Sequence, residues 1–246
     1  MIKAILKAVL RKAGYIVFKN GFLPIGTSLV HDIQRFNDQN KITTVLDVGA
    51  NVGRFSRTMA EAFPKAMIYA FEPVPKTFSK LQAACKLYSN IHCFNVALSS
   101  MQGSAIINVL NCDEMSSMEV NPLLAKYYSK NEIMPASHVR VEQDTVDHFA
   151  AGLNINMIDL LKIDTEGHDM HVLHGAAALL EKKAIKFILV EFYKPAKSNH
   201  PGSGFLDELA VHLENFGYQF TTSYTEWVDP NRQFFGVHNA LFALVK

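Results

Sequence analysis

Short apolar segments alternate with longer amphipathic segments along most of this chain. The amphipathic segments repeat their apolar positions at the helical period, whereas the apolar segments are short and rich in β-branched and aromatic residues. We predict strands at 44–48, 67–71, 91–98, 157–163 and 186–192, and helices at 54–63, 75–88, 169–181 and 205–216. This alternation predicts an α/β fold with an open, mostly parallel sheet and helices on both faces.

The alternation is interrupted in the middle of the chain and near its end. Two further strands are predicted at 104–110 and 138–141, and a short helical piece follows the second of them. The intervening residues 111–136 show no strong periodicity, and a connection of this length in a compact domain is usually functional or mobile. The last predicted strands, 218–224 and 239–245, have no clear helix between them, so we expect an antiparallel hairpin at one edge of the sheet.

The composition argues against several classes of protein. The 246 residues include 24 Lys and Arg against 23 Asp and Glu, a net charge of +1, which gives no global reason to expect nucleic acid as a partner. Cys85, Cys93 and Cys112 have no C-x-x-C spacing, which argues against a disulfide framework and a thiolate zinc site. We therefore expect free thiols in a reducing compartment, the cytoplasm. No stretch approaches the roughly 20 apolar residues that span a bilayer.

Residues 1–22 differ in character from the rest of the chain. They hold five basic residues and no acidic one, and their apolar residues recur at helical spacing between Ile2 and Ala13. Basic residues interrupt the apolar region that a signal peptide requires. We divide the chain into a helical extension or lid, residues 1–40, and a main domain, residues 41–246. The extension either packs on the domain and closes over a pocket, or makes a weak contact with an anionic membrane surface.

A glycine-containing turn connects the first predicted strand to the first helix of the main domain. Gly49 and Gly53 allow a sharp turn and the close approach of a ligand, and the helix that follows offers free N–H groups to an anion. Glu72 ends the second strand roughly 20 residues further on, where a carboxylate can accept hydrogen bonds from two ribose hydroxyls. The turn and the carboxylate together predict a nucleoside ligand.

The charge of the turn distinguishes between nucleoside ligands. The dinucleotide fingerprint G-x-G-x-x-G binds a pyrophosphate, whereas this chain has G-x-N-x-G preceded by Asp47. An acidic residue repels a pyrophosphate and suits a ligand that carries an ammonium group. S-adenosylmethionine has an amino acid end, a sulfonium and no phosphate, so the charge pattern favours it over NAD.

Five segments give the sequence a specific resemblance. They are VLDVGANVGRFS, FEP, NVALSS, DLLKIDTEGHDMHVLHGA and VEF, in this order. They resemble the FkbM family of S-adenosylmethionine-dependent methyltransferases over about residues 44–193, with gaps within 104–140. The resemblance implies a class I methyltransferase (Rossmann-like) fold, with a doubly wound, seven-stranded sheet whose last strand is antiparallel. It also implies methyl transfer to a hydroxyl group, usually of a sugar, a polyketide or a similar natural product.

The resemblance assigns cofactor-binding roles to three groups of residues. The loop after the first strand and the start of its helix are Asp47, Gly49, Ala50, Asn51, Gly53, Phe55 and Ser56, with Ser56 in reach of the cofactor carboxylate. The ribose is assigned to Glu72, next to Pro73, and the adenine edge to Asn95, Val96 and Ala97. Ser116 and Ser117 match a serine-containing stretch that closes over the cofactor.

Two carboxylates and an imidazole follow the predicted strand 157–163, next to the expected position of the methyl group. Methyl transfer mainly requires that the protein align the hydroxyl and accept its proton, because the sulfonium is already activated. We expect Asp164 or His168 to be the base, and we also count Asp164 among the cofactor-binding residues. Glu166 either takes part in the chemistry or only sets the turn before the next helix.

Glu191 ends the neighbouring strand, so Asp164 and Glu191 can together hold Mg²⁺, a hard cation that binds oxygen and lowers the pKa of a hydroxyl. The sequence identifies no third protein ligand. His168, His171 and His174 are three residues apart, whereas two histidines that share an ion are usually four apart, so we expect no shared metal there.

Three functions remain open on these grounds. The first is an O-methyltransferase acting on a small molecule or a carbohydrate, with Trp227 in a 224–238 loop as a candidate for stacking on the acceptor. The second is an NAD-dependent oxidoreductase, which the missing G-x-G-x-x-G disfavours. The third is a non-catalytic nucleoside-binding or membrane-peripheral module of the same fold. The acceptor and the oligomeric state cannot be deduced from these residues.

Overall fold

A computed structural model describes residues 6, 9–18, 22–37, 41–110, 116–117, 135–193, 206–229 and 235–245, with most of their side chains. The chain divides into two compact units, Met1–Lys41 and Ile42–Lys246. No helix in the described part of the chain combines the length and the apolar character needed to cross a bilayer.

The first unit contains helix α1 (Leu29–Phe36) and a short helical segment at 9–12. Ser28 caps α1 because its side chain accepts a hydrogen bond from the backbone N–H of His31. Asp32, in the first turn of the same helix, accepts a hydrogen bond from the N–H of Gly26 at 2.8 Å. A role of this unit as a lid stays a prediction.

The second unit carries the remaining described elements. Its strands are β1 (Thr44–Val48), β2 (Met67–Phe71), β3 (Ile91–Phe94), β4 (Ala97–Leu98), β5 (Gly103–Leu110), β6 (Ser116–Ser117), β7 (Pro135–Asp144), β8 (Ile158–Ile163), β9 (Ile185–Tyr193), β10 (Tyr218–Asp229) and β11 (Phe235–Leu244). Its helices are α2 (Arg54–Ala62), α3 (Pro75–Cys85), α4 (Val146–Gly152), α5 (Asp169–His174), α6 (Ala177–Glu181) and α7 (Leu206–Glu214).

Seven strands form the main sheet in the order β10-β11-β9-β8-β1-β2-β3. β11 is antiparallel to both of its neighbours, and the other pairings are parallel. The predicted α/β fold with a mostly parallel seven-stranded sheet is confirmed. The chain leaves β1 toward β2 and β3 on one side, and β8 and β9 lie on the other. Open sheets of this kind bind ligands in the crevice that such a reversal forms, and here the reversal falls at the carboxyl ends of β1 and β8.

The central strands are buried because the sheet is covered on both faces, and this explains their continuous apolar sequences. All six residues of β8 are buried, including the charged Asp159 and Lys162. Asp159 joins the start of β1 to β8, since its Oδ2 accepts hydrogen bonds from the N–H and hydroxyl of Thr43. Its Oδ1 pairs with Lys186 of β9. Although burial opposes its ionisation, these partners lower the pKa of Asp159 below its ordinary value.

The predicted strand at 91–98 is wrong as a single element. β3 ends at Phe94 in the main sheet, and β4 begins at Ala97 in a second sheet of order β4-β7-β5-β6. Between them, Asn95 turns its side-chain amide to the carbonyl oxygens of Glu72 and Pro73, at 2.9 and 2.8 Å. The chain therefore leaves the main sheet at Asn95, the residue whose side chain is hydrogen-bonded to the end of β2.

Two other elements differ from prediction. The predicted helix at 169–181 is divided into α5 and α6, because the carboxylate of Asp147 accepts the N–H groups of Ala178 and Leu179 and so caps a separate helix start. The last two strands do pair in antiparallel fashion, but β11 is inserted between β9 and β10, so only β10 is at the edge.

Three predictions concern residues that the structure describes in part or not at all. Trp227 lies in β10, opposite Val237, and not in a loop; its side chain is outside the described part. Most of 111–136 and Cys112 are likewise outside it. Cys85 and Cys93 are free thiols.

Candidate active site

The turn after β1 is held in a left-handed conformation. Gly49, Asn51 and Gly53 have φ values of 76°, 48° and 79°. A Cβ on Gly49 would lie 1.8 Å from the carbonyl oxygen of Asp164, and a Cβ on Gly53 would lie 2.8 Å from the Sγ of Cys85. At Gly49 the contact is with backbone, so packing inside the protein requires glycine there. Gly53 would meet only side-chain atoms, and its positive φ is the stronger reason for glycine.

Lys162 is a buried cation at the base of the crevice. It is the register partner of Asp47, and its Nζ lies 3.2 Å from Asp47 Oδ1 and 3.1 Å from Asp164 Oδ2. It also donates to the carbonyl oxygen of Gly49 at 2.9 Å. Burial opposes its charge, but Asp164 and Asp47 outweigh burial and raise the pKa of Lys162 above the ordinary lysine value. Lys162 therefore joins the end of β8 to the turn after β1.

Sequence reasoning missed Lys162, although a signal was present. A charged residue inside the otherwise apolar strand IDLLKI must be paired when it is buried, and Asp47 and Asp164 were already candidates at adjacent strand ends.

Asp47 faces the protein interior. It is fully buried, its Oδ1 faces Lys162, and its Oδ2 accepts a hydrogen bond from the hydroxyl of Ser56 at 2.5 Å. Ser56 is buried as well, so binding to a cofactor carboxylate would require its hydroxyl to change partner. The Asp47–Lys162–Asp164 group contains two carboxylates and one ammonium, so its net charge is −1. Asp47 and Asp164 without Lys162 would carry a charge of −2.

Glu72 is oriented by the backbone at the end of β2. Its Oε2 accepts from the N–H of Asn51 at 3.1 Å, and its Oε1 accepts from the N–H of Val74 at 2.9 Å. Burial raises the pKa of Glu72 to about 7, against the effect of these hydrogen bonds. The carboxylate thus links the β1 turn to the end of β2 and can change its charge near neutral pH.

The other predicted cofactor residues differ in burial and in their contacts. Ala50 is buried and donates its N–H to the carbonyl of Phe71 at 2.8 Å, and the ring of Phe55 lies 5.7 Å from Lys162 Nζ. Pro73 and Val96 are half-buried and Ala97 is buried, whereas Asn95 is exposed but uses its amide on the backbone. Ser116 and Ser117 form β6 in the second sheet, paired with β5; their side chains are outside the described part.

Three carboxylates converge at the ends of β8 and β9. Asp164, Glu166 and Glu191 each offer an oxygen, and these oxygens all lie within 4.8 Å of one another. Glu166 reaches this position from a left-handed backbone, with a φ of 54°. Glu166 is the third oxygen donor that the sequence did not identify. Such a cluster is the type of oxygen-only donor set that a hard cation prefers.

His168 is more enclosed than expected for a residue at a helix start. It is buried, its Nε2 lies 2.9 Å from the hydroxyl of Ser99, and its ring stacks on His171 with centroids 4.3 Å apart. Burial, together with His171, lowers the pKa of His168 to about 4, so the ring is neutral at physiological pH. Next to it, Asp169 accepts the N–H and hydroxyl of Thr165, both at 2.9 Å, and fixes the turn after Asp164.

A protein-family model described as the methyltransferase FkbM domain matches residues 47–220. The match begins at Asp47. It includes Glu72, Lys162 and the three carboxylates Asp164, Glu166 and Glu191.

Three curated proteins are similar to this chain. Methyltransferase 1 of Beauveria bassiana is 28% identical over 162 residues, 59% of this chain and 61% of that protein. The 2-O-methyltransferase NoeI of Sinorhizobium fredii is 25% identical over 155 residues, 60% of this chain and 62% of that protein. The hexuronic acid methyltransferase AglP of Haloferax volcanii is 24% identical over 148 residues, 60% of this chain and 54% of that protein. The chain thus spans less than two thirds of each.

Among solved structures, the METTL16 MTase domain is similar in fold, with a TM-score of 0.51 at 10% sequence identity. The match covers 100% of this chain and 80% of that one. At this identity the likeness concerns the fold alone, and it confirms the class I, Rossmann-like methyltransferase fold.

Proposed function

This chain belongs to the FkbM methyltransferase family, and we propose that it transfers a methyl group from S-adenosylmethionine to a hydroxyl group of a small molecule or a carbohydrate. The observation that carries the proposal is the crevice between β1, β2 and β8, where backbone N–H groups orient the buried carboxylate of Glu72 beside a left-handed turn.

Glu72 is suited to bind the ribose of the donor. Each of its oxygens already accepts one backbone N–H and keeps a further lone pair for a ribose hydroxyl. Because the carboxylate is fixed before the ligand arrives, little conformational entropy is lost on binding.

The charge of the crevice supports a cationic donor over a dinucleotide. The Asp47–Lys162–Asp164 group keeps one net negative charge, and Glu72 adds another when it is ionised. Lys162 neutralises part of the charge with which Asp47 alone would repel a pyrophosphate. The preference for a cationic donor over a dinucleotide therefore depends on the net charge of all three residues. A sulfonium and an ammonium are favoured by it, whereas a pyrophosphate is not.

Asp164 is the proposed proton acceptor. In the reaction the acceptor oxygen attacks the methyl carbon, the bond from that carbon to sulfur breaks, and the hydroxyl proton passes to a carboxylate oxygen. The side chain of Asp164 is 31% exposed and its Oδ2 pairs with Lys162, whereas His168 is buried and its Nε2 is engaged by Ser99. We therefore assign the proton transfer to Asp164 and no chemical step to His168.

Asp164, Glu166 and Glu191 are the residues that would hold Mg²⁺ if the reaction uses it. A bound divalent cation would orient the acceptor hydroxyl and lower its pKa. Methyl transfer measured after treatment with a chelator, and again after Mg²⁺ is restored, tests this: a reversible loss supports the metal, and unchanged turnover removes it.

The names of two relatives support a carbohydrate hydroxyl as the acceptor. One relative is a 2-O-methyltransferase and another acts on a hexuronic acid. A panel of sugars, uronic acids and hydroxylated natural products with methyl-labelled S-adenosylmethionine tests the acceptor class directly.

The variant Asp164→Asn tests the assigned chemistry. It keeps the size of the side chain but removes the proton acceptor, so turnover should fall by about 10²-fold or more. Binding of the donor should weaken far less, because the substitution removes one negative charge but leaves Glu72 in place. Glu61→Ala, an exposed carboxylate on α2 that pairs with Tyr88, is the matched control and should keep full turnover. Loss of donor binding in a folded Asp164→Asn protein would instead make Asp164 a cofactor ligand.

A further inference from the structure

The first unit exposes an unusual number of large apolar side chains. We call the described residues 6, 9–18 and 22 the apolar segment, and within it the exposed fractions reach 80% at Ile16, 69% at Phe22 and 64% at Tyr15. Leu6 and Val9 are each 57% exposed. Single exposed apolar residues are common, but a concentration of this kind in one short segment marks an interaction surface.

The same part of the chain is strongly basic. Residues 1–31 contain five Lys and Arg residues and no Asp or Glu, although the whole chain has a net charge of only +1. Arg11 and Lys12 lie inside the apolar segment and are both exposed. The segment therefore offers apolar and cationic groups to the same partner.

This combination identifies the chemistry of the partner. Aromatic and aliphatic side chains with adjacent lysine and arginine are typical of segments that lie in the interface of an anionic bilayer. A second copy of this chain is a poorer partner, because it would bring two segments of equal positive charge together.

We propose that the apolar segment binds the surface of a phospholipid bilayer that carries anionic headgroups. Ile16, Phe22 and Tyr15 enter the boundary between headgroups and acyl chains, while Arg11 and Lys12 pair with headgroup phosphates. The proposal is independent of the proposed methyl transfer, since it uses no residue of the crevice.

Co-sedimentation of the full chain with vesicles tests this proposal. We expect the protein to sediment with vesicles that contain phosphatidylglycerol and phosphatidylcholine in about equal parts, and not with vesicles of phosphatidylcholine alone. Added salt should weaken the binding, because it screens the charge attraction.

Two double variants separate the contributions. Arg11→Gln with Lys12→Gln should weaken binding by about 20- to 30-fold, since each basic residue near an anionic surface contributes about fivefold. Ile16→Ser with Phe22→Ser should weaken it by about tenfold or more. Leu87→Ser is the control, because Leu87 is 93% exposed but lies in the second unit, and it should change nothing. Circular dichroism checks that every variant is folded.

Three results would overturn the proposal: no sedimentation with anionic vesicles, equal binding to neutral vesicles, or binding that neither double variant weakens. A dimer in analytical ultracentrifugation that Ile16→Ser with Phe22→Ser dissociates would assign the segment to a second copy of the chain. Methyl transfer to a soluble acceptor, measured in parallel, shows whether the crevice functions whatever the result with vesicles.

Discussion

At the scale of single residues, Lys162 sets the net charge of the crevice because it pairs with both Asp47 and Asp164. Asp47 is fully buried, and a buried carboxylate whose counter-ion is removed becomes strongly destabilising. Lys162 also contacts Asp164 and the carbonyl oxygen of Gly49. We therefore propose that it positions Asp164 for the reaction in addition to stabilising the fold.

Lys162→Met should therefore affect both properties. We expect a loss of about 3–5 kcal/mol in the free energy of unfolding, from the uncompensated Asp47, and a fall in kcat beyond what the folded fraction explains. Lys186→Met is the matched control: it also removes a strand lysine paired with a buried aspartate, Asp159, but far from the turn after β1. Urea unfolding and steady-state kinetics measure the two effects, and equal kcat values in the two folded variants would limit Lys162 to a structural role.

The proposed contact of Glu72 with the ribose predicts that binding of the donor depends on pH. The Glu72 pKa of about 7 means that the ionised form, which we propose accepts both ribose hydroxyls, gains population between pH 6 and pH 8. The affinity for S-adenosylmethionine should rise by about tenfold over this range, and Glu72→Gln should bind more weakly with a flatter profile. Calorimetric titrations at several pH values measure this, and parallel profiles for the two proteins would show that another group titrates.

The same pKa has a consequence for stability. The folded pKa of Glu72 is raised above the ordinary value of 4.5, so the native protein retains this proton more strongly than the unfolded chain does. The resulting contribution to stability is complete below about pH 4.5 and is lost as the pH rises through about 7.

At the scale of elements, the contact between the ends of β1 and β8 positions the crevice. Gly49→Ala would place a Cβ against the carbonyl oxygen of Asp164 and would force a left-handed alanine. We expect a loss of about 3 kcal/mol or more in the free energy of unfolding. Gly152→Ala, with nothing within 4 Å of its Cβ, is the control and should be close to neutral. Similar denaturation midpoints for the two variants would contradict the close approach.

The central strands could be predicted well from the sequence, because strands that are buried on both faces have nearly continuous apolar sequences. β1, β2, β8 and β9 are short apolar runs, and the topology follows from their alternation with helices. The sequence could not predict that 91–98 divides between two sheets, because Asn95 at the division donates to the carbonyl oxygens of Glu72 and Pro73, which lie 23 and 22 residues earlier. The start of α6 has a similar origin, in the distant carboxylate of Asp147.

The candidate site was predictable to the same limited degree. The positions of Asp47, Glu72, Asp164 and Glu191 at strand ends follow from the order of the elements. The pairing of Asp47 with Lys162 depends on the register between β1 and β8, and the third carboxylate depends on the left-handed backbone at Glu166. Neither the register nor the dihedral angle leaves a periodic pattern in the sequence.

At the scale of the whole molecule, the two units have different surface chemistry. The second unit carries the crevice and the carboxylate cluster, whereas the first carries the apolar segment and an excess of positive charge. We expect that substitutions can separate membrane binding by the first unit from methyl transfer by the second. Variants of the apolar segment should keep turnover on a soluble acceptor.

Calorimetric titration of the full chain with S-adenosylmethionine and with NADH, repeated on Glu72→Ala, tests the central claim most directly. We predict that S-adenosylmethionine binds to one site, that NADH does not bind, and that Glu72→Ala weakens binding of the donor by about 1–3 kcal/mol. Binding of NADH in its place, or an unchanged affinity for S-adenosylmethionine in Glu72→Ala, would contradict the assignment of the crevice.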